Sequence, residues 1–213
     1  MLNGRWHTGL PCNTYGQLKV EEELIRLSQM NKNSKVLDFG SGNGVVTCDY
    51  HILTGADVTG ITNNLDQVNK SIGLSKSLGV SNSVSFLHYN GKQLPFLSES
   101  FDIVVFTESL CHVKQKQNIL FELHRVLKKG GKIVGEDWST YNHHYTKGID
   151  KDYGTYLDSP KEYNRLFSKF FKNTQIKTFT PIWEMNNMRL ITDQAKLLYY
   201  KVIYPNLPLS CFH

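Results

Sequence analysis

The sequence lacks the features that would place this chain of 213 residues in several large protein classes. No apolar run approaches the roughly 20 residues of a membrane-spanning helix, and the N-terminal residues carry no apolar core of a secretory signal. The four cysteines are scattered without CxxC spacing, and a disulfide framework is not expected in a chain this long. We therefore expect a cytoplasmic protein without a metal site.

The excess of one charge sign is also small, because 24 basic and 19 acidic residues leave a net charge of only +5. The densest basic patch contains Lys128, Lys129 and Lys132. We interpret this patch as the C-terminal end of a helix, where the helix dipole favours cations. A nucleic-acid-binding surface would need a denser basic face, so we do not expect a nucleic-acid partner.

Apolar stretches alternate with amphipathic ones along the chain, as expected for repeated βαβ units. Strands are predicted at residues 35–39, 57–62, 84–88, 101–106, 132–137 and 175–182. Helices are predicted at residues 17–30, 45–53, 64–78, 115–128, 160–172 and 188–203. The pattern predicts one α/β domain with a doubly wound, mostly parallel sheet and helices on both faces.

A glycine loop, GSGNG, follows the first predicted strand and precedes a helix. Glycines let a ligand approach the backbone, and a helix N-terminus offers free N–H donors. Val45 stands where the third glycine of a dinucleotide-binding motif would be, which disfavours an NAD(P) dehydrogenase. The alternative is an ordinary turn that binds nothing.

VLDFGSGNG is followed in order by HYNGKQLPFLSESFDIVV and ELHRVLKKGGKIVGEDW. Together these segments resemble class I S-adenosylmethionine-dependent methyltransferases, locally the sterol and geranyl diphosphate C-methyltransferases. The resemblance covers roughly residues 35–138 and is specific because the motifs occur jointly. It implies a Rossmann-like sheet of seven strands, with S-adenosylmethionine as methyl donor and S-adenosylhomocysteine as product.

The resemblance also implies which residues hold the cofactor. The glycine loop would pass its methionine part, and Asp38 would help to order that region. GITNNLDQV lacks the usual acid for the ribose hydroxyls, and Thr62, Asn63 and Gln67 can hydrogen-bond a diol instead; alternatively, the two asparagines only cap the next helix. The full predicted set is Asp38, Gly40, Ser41, Gly42, Gly44, Thr62, Asn63, Gln67, Asn90, Gly91, Thr107 and, as part of a lid, Tyr15.

Residues expected to act on the methyl acceptor follow the fourth and fifth strands. In TESLCH, Glu108 and His112 match the acid and histidine of the sterol methyltransferases and are the predicted catalytic residues. Local capping of the next helix is the alternative for both. The predicted substrate-binding residues are Trp6, His7, Trp138, His143 and His144; Trp138 could equally be a packed core residue, and the two loop histidines could be solvated.

These residues predict methyl transfer to a carbon, nitrogen or oxygen of a small, partly apolar metabolite. RNA methylation and a non-methylating cofactor-binding protein, such as a cyclase or regulator, are the alternatives. One domain is expected, with residues 1–30 as helix and lid, 31–138 as cofactor-binding core and 139–213 on the substrate side. No seventh strand is evident, and an open sheet edge could pair in a homodimer.

Overall fold

The computed structural model describes residues 14–140 and 154–176, with side chains from residue 20 onward. The predictions made for Trp6, His7, His143, His144 and the helix at 188–203 lie outside the described residues, as does most of the predicted sixth strand. The elements, in chain order, are α1 (Thr14–Ser28), β1 (Lys35–Phe39), α2 (Val45–Thr54), β2 (Asp57–Thr62), α3 (Leu65–Ser77), β3 (Val84–His88), β4 (Phe101–Thr107), a 3₁₀ turn (Leu110–His112), α4 (Lys116–Val126), β5 (Leu127–Glu136) and α5 (Pro160–Phe167).

The five described strands form one parallel sheet in the order β3-β2-β1-β4-β5. The chain first builds outward from β1 to β3 and then returns to the other side of β1 with β4. In such a sheet a ligand binds at the carboxyl ends of the strands where the order reverses. The topology therefore places the ends of β1 and β4 at the expected position of a site.

Alternating side chains of the strands pack into apolar clusters on both faces of the sheet. In β1, Val36 packs with the core under α1 and α2, whereas Leu37 and Phe39 pack with the core under α4 and α5. In β4, Val105 and Val104 divide in the same way. Because both faces are covered, the strands read as nearly continuous apolar runs, and the predicted doubly wound α/β architecture is confirmed.

The boundary between α4 and β5 differs from the prediction. The helix ends at Val126, and β5 already begins at Leu127, which pairs with Phe101. The register then shifts, so that Ile103 pairs with Lys132 and the Gly-Gly segment lies in an irregularity of the strand rather than at a helix end. Pairing with β4 has outweighed the local helix-stop signal, and the interpretation of the basic patch as a helix terminus is wrong.

The lysines of that patch are paired with side chains of neighbouring elements. Lys128 Nζ lies 2.7 Å from Asp102 Oδ1, and Lys129 Nζ lies 3.8 Å from Glu99 Oε1. Lys132 Nζ donates a hydrogen bond to Gln29 of the segment after α1 at 2.6 Å. The patch therefore has a structural role, as expected, but it joins neighbouring elements instead of ending a helix.

Two smaller differences concern the last described elements. Helix α5 ends at Phe167, five residues before the predicted end, and residues 175–176 have no regular secondary structure. Among the described residues, no helix combines the length and the apolar character needed to cross a membrane.

Candidate active site

The glycine loop between β1 and α2 depends on backbone conformations that favour glycine. Gly40, Gly42 and Gly44 have φ angles of 84°, 53° and 81°, a region that other L-residues rarely occupy. A Cβ on Gly40 would lie 2.3 Å from Ser109 Cβ, and one on Gly44 would lie 2.7 Å from Ser71 Cβ. Both glycines are therefore required by packing as well as by φ.

The loop is held against β2 and leads directly into a helix N-terminus. The amides of Gly40 and Ser41 both donate to Ile61 O, at 2.9 Å each. Gly44 caps α2 without a side-chain hydrogen bond, so backbone N–H groups of the first turn remain for a ligand. An anionic group of a ligand fits such a helix end.

Asp38 lies at the carboxyl end of β1, directly below this loop. Its side chain is 4% exposed, and its Oδ2 accepts a hydrogen bond from Thr47 Oγ1 at 2.6 Å. Burial raises the pKa of Asp38 to about 6, and the hydrogen bond from Thr47 opposes this rise. A cationic ligand near the loop would favour the ionised carboxylate.

The end of β2 carries a pair of polar side chains. Thr62 Oγ1 donates to Gln67 Oε1 at 2.5 Å, which leaves the amide N–H donors of Gln67 for another acceptor. Asn64 caps α3, because its Oδ1 accepts from the amides of Asp66 and Gln67 at 2.9 and 3.2 Å. The capping alternative thus applies to Asn64, whereas the side chain of Asn63 is exposed.

The loop after β3 lies beside the loop after β2. Tyr89 N donates to Thr62 O at 2.8 Å, and His88 Nε2 lies 3.3 Å from Asn63 O. Asn90 Oδ1 accepts from Lys92 N at 3.1 Å, and this amide oxygen retains a second lone pair. Gly91 is exposed, with φ 80° and open space around it.

Glu122 and Arg125 of α4 hold this loop in place, a role that the sequence reasoning missed. Glu122 Oε2 accepts from Leu94 N at 2.9 Å, and Arg125 donates to Phe96 O and Leu94 O at 2.8 and 3.1 Å. The two side chains also pair with each other at 2.7 Å, and Arg125 is the main cause of the lowered pKa of Glu122. The segment ELHRVLKKGG contains both residues, but nothing in its spacing names the loop that they hold.

The turn after β4 brings three strand ends together. Glu108 has a φ of 45°, and its amide donates to Glu136 O at the end of β5 at 2.9 Å. Ser109 Oγ donates to Phe39 O at the end of β1 at 2.8 Å. Left-handed backbone at a non-glycine residue is unfavourable, and the hydrogen bonds of Glu108 N and Ser109 Oγ hold the turn in this conformation.

The remaining predicted residues lie around this turn. Thr107 is half-buried beside the hydroxyl of Tyr50. His112 is exposed, with Nδ1 3.3 Å from Gly154 O, and Trp138 is half-buried, with its carbonyl accepting from Tyr163 Oη at 3.3 Å. Tyr15 lies in α1, and its side chain is outside the described residues.

The described residues fit S-adenosylmethionine as a ligand. Ser41 Oγ, in the glycine loop, is buried without a hydrogen-bond partner in residues 14–140 and 154–176. The helix end suits a carboxylate, Asp38 suits a positive charge, and the Thr62–Gln67 pair suits a diol. Within the same residues, no group of three His, Cys, Asp or Glu side chains is arranged to hold a metal ion.

Part of the chain is similar in sequence to known methyltransferases. Residues 37–135 match the family described as "Methyltransferase domain". The chain is 31% identical over 113 residues to sterol 24-C-methyltransferase of Pneumocystis carinii, covering 53% of this chain and 30% of that protein. It is 32% identical over 120 residues to the ubiquinone/menaquinone biosynthesis C-methyltransferase UbiE of Blochmanniella floridana, covering 54% and 46%. The chain therefore spans less than half the length of these two relatives.

A solved structure extends the likeness to most of the chain at the level of the fold. Geranyl diphosphate C-methyltransferase from Streptomyces coelicolor A3(2) superposes with a TM-score of 0.67 and 19% identity, covering 90% of this chain and 68% of that one. That crystal contains Mg²⁺, geranyl diphosphate and S-adenosyl-L-homocysteine.

The parallel sheet and the glycine loop at its switch point define a Rossmann-like fold of the class I methyltransferase type. Residues 37–135, slightly less than half of the chain, are similar to the methyltransferase domain family. A geranyl diphosphate methyltransferase of the same fold was solved in complex with S-adenosylmethionine.

Proposed function

We propose that this protein transfers a methyl group from S-adenosylmethionine to a small, partly apolar metabolite, with carbon preferred over nitrogen or oxygen as the acceptor atom. One observation carries the proposal. Ser109 Oγ bonds Phe39 O at 2.8 Å and thereby packs the Glu108 turn directly on Gly40. Glu108 directly precedes Ser109 in this turn, and we infer that its carboxylate serves as the general base for the methyl acceptor.

The cofactor would be held by the described residues of the β1, β2 and β3 ends. The α2 N-terminus and the glycine loop would take the methionine part, Thr62 and Gln67 the ribose, and Asn90 and Gly91 the adenine. When bound, S-adenosylmethionine supplies an electrophilic methyl group on a sulfonium ion. The protein then has to orient the acceptor and exclude water.

Glu108 would accept the proton that a carbon acceptor releases after methylation. The side chain of His112 lies one 3₁₀ turn further on and would orient the acceptor or the cofactor carboxylate. Trp138 would form an aromatic wall, since an aromatic face stabilises a passing cation. The names of the relatives favour carbon as the acceptor atom, because each names a C-methyltransferase.

The test is a transfer assay with S-adenosylmethionine that carries a radioactive methyl group. Geranyl diphosphate, a sterol, a menaquinone precursor and total RNA are offered separately, and Gly42→Val is the inactive control. Label in an organic small molecule supports the proposal. Label in RNA alone favours the RNA alternative, whereas tight cofactor binding without transfer to any of these acceptors favours a non-methylating protein.

Three finer features are part of the proposal. A cytoplasmic location agrees with the free, buried Cys48 and Cys111. A homodimer could form through β5, which is an outer strand of the described sheet, and sedimentation of the purified chain would test it. A single domain over residues 1–213 predicts one cooperative unfolding transition.

A further inference from the structure

Lys116, the first residue of α4, is a buried cation with a complete set of acceptors. Its side chain is 3% exposed. Nζ donates to Val113 O at 3.1 Å and to Tyr156 O, and it lies 3.1 Å from Asp158 Oδ2. An ammonium group has three N–H donors, so each donor has one acceptor. The ring of Tyr163 covers the ammonium group, with its centroid 5.7 Å from Nζ.

The acceptors of Lys116 come from two segments that are far apart in sequence. Val113 follows the 3₁₀ turn after β4, whereas Tyr156 and Asp158 belong to the segment before α5. The amide of Tyr156 also donates to Cys111 O at 2.6 Å, and His112 Nδ1 lies 3.3 Å from Gly154 O. Residues 154–158 are therefore fastened along the turn that carries His112.

Asp137 adds the end of β5 to the same assembly. Its Oδ2 accepts from Cys111 N at 3.0 Å, and its Oδ1 accepts from Trp138 N at 2.8 Å. Thr140 N donates to Asp158 O at 3.0 Å. Three segments, 108–113, 137–140 and 154–158, thus form one hydrogen-bonded unit, and Lys116 is its buried cation.

We propose that Lys116 is a positioning residue that fixes residues 154–158 against the turn carrying Glu108 and His112, and so sets the acceptor side of the site. The geometry of the cofactor loop does not depend on it, because the amides of Gly40 and Ser41 bond to Ile61 O of β2 and Ser71 Oγ donates to Gly42 O. Removing the ammonium group would leave three acceptors without their donor, and one of them is a charged carboxylate. The two segments would then separate locally while the sheet stays folded. The consequence for catalysis rests on the proposed function, whereas the structural consequence does not.

Amide hydrogen exchange of the full chain, followed by mass spectrometry, tests the structural part. In Lys116→Met we expect exchange in residues 108–113 and 154–158 to rise by about tenfold or more, with no change in residues 40–47. Lys114→Met is the matched control, because Lys114 is exposed and lies two residues away; it should exchange like the parent protein. Unchanged exchange in both segments, or a uniform rise over the whole chain, would overturn the proposal.

Two more conservative variants keep the proposal testable if Lys116→Met does not fold. Asp158→Asn keeps an oxygen acceptor but removes the charge, and Lys116→Arg keeps a cation with N–H donors. Both should show the same regional pattern with a smaller rise than Lys116→Met. Suppose that exchange in these segments does not rise in Asp158→Asn and rises equally in Lys116→Arg and Lys116→Met. The ion pair between Lys116 and Asp158 would then not be what fastens the segment.

The catalytic part of the proposal is tested by comparing kcat/KM for the acceptor with the Kd of the cofactor. With an acceptor identified in the transfer assay, Lys116→Met should lower kcat/KM for the acceptor by about tenfold or more and leave the Kd of S-adenosylmethionine within about twofold of the parent value. Equal losses for acceptor and cofactor would contradict a positioning role. If no compound accepts a methyl group, the proposed function fails, and the exchange pattern still decides whether Lys116 fastens the segment.

Discussion

Two aspartates, the buried Asp38 at the end of β1 and the half-buried Asp137 after β5, show how differently the two sides of the site are built. Burial raises the pKa of both carboxyl groups. Asp38 has one opposing partner, Thr47, and its pKa reaches about 6. For Asp137 burial is opposed by hydrogen bonds from the Cys111 thiol and from backbone amides, including those of Cys111 and Trp138. The carboxylate of Asp38 can therefore still pair with a positive charge of a ligand. The carboxylate of Asp137 instead accepts hydrogen bonds that join segments of the chain.

The same difference extends to the regions around these residues. The cofactor side is formed by local backbone: positive φ angles, a helix N-terminus and amides that bond across neighbouring strands. The proposed acceptor side is formed by side chains that join segments up to 42 residues apart, and the ammonium of Lys116 is the most buried of these groups. On the cofactor side, a substitution should consequently act by disturbing the backbone conformation. On the acceptor side, it should act by leaving hydrogen-bonding groups without their partners.

The largest expected effect is on catalysis by Glu108. Glu108→Gln removes the carboxylate but keeps its shape, so kcat should fall by about 10²- to 10⁴-fold, the size of a general-base contribution. Cofactor affinity measured by calorimetry should stay within about twofold. Glu99→Gln is the matched control, since Glu99 also has a left-handed backbone, with φ 56°, at the opposite end of β4. Full activity of Glu108→Gln would exclude a base at this position.

The ionisation of Asp38 should be visible in the pH dependence of stability. The native state holds its proton up to a pKa of about 6, against 3.8 for an ordinary aspartate, so between these values the native state binds more protons than the unfolded state. Stability of the parent protein relative to Asp38→Asn should therefore fall as pH rises from 4 to 6, by on the order of 3 kcal/mol, and then level off.

Urea unfolding of both proteins across pH 4–7 measures this difference. Saturating S-adenosylmethionine should reduce the slope, because a nearby cation favours the ionised carboxylate. Parallel curves for the two proteins, with and without cofactor, would mean that Asp38 titrates as an ordinary aspartate and that the contrast with Asp137 does not hold.

Gly40→Ala should weaken cofactor binding by about a hundredfold, because the new Cβ would meet Ser109 Cβ and the residue has a left-handed φ. Gly79→Ala is the control for φ alone: its φ is 72°, and no atom lies near the added Cβ. We expect it to lose about 1–2 kcal/mol of stability with no loss of affinity. In Gly40→Ala with Ser109→Gly the clash is removed, and affinity should partly recover; no recovery would point to φ as the sole cause.

The smallest effect is expected at the ribose pair. Thr62→Val removes the hydroxyl that orients Gln67 and should weaken cofactor binding by about fivefold to tenfold, the value of one hydrogen bond. Thr59→Val, in the same strand, removes a hydroxyl that lies 3.1 Å from Ser85 Oγ on the exposed side. Calorimetry should detect no change for this control. Equal losses in the two variants would remove the reason for placing the ribose at Thr62.

The strands of the sheet were predictable because their signal is local. The bounds predicted for β1, β2 and β3 agree with the structure, since each strand is a short apolar segment between polar turns. The start of β5 was not predictable, because Leu127 continues the helical pattern of α4 and joins the sheet only through its pairing with Phe101. The glycine loop was recognisable from spacing, and its three left-handed glycines confirm the expected turn.

The parts of the site that escaped prediction share a physical property. Glu122, Arg125 and Lys116 act on backbone groups 28 to 40 residues away, and no period or spacing in a single sequence encodes such a pair. The roles of Glu108, His112 and Trp138 stay predictions, because they depend on an acceptor that the residues alone do not identify. Asn64 shows the converse, since a helix cap is local and was expected.

Helix α4 links the two sides of the site with a fixed spacing. Lys116, in its first turn, holds the acceptor-side segment, and Arg125, in its last, holds the loop after β3. Arg125 lies nine positions after Lys116 in the helix, a rise of roughly 13.5 Å. One residue inserted between them would rotate Lys116 by about 100° relative to Arg125 around the helix axis. The length of α4 thus fixes the distance between these two contacts. Chimeras with related proteins should tolerate replacement of Lys116 or Arg125 together with the segment that it holds more readily than a change in the length of the helix between them.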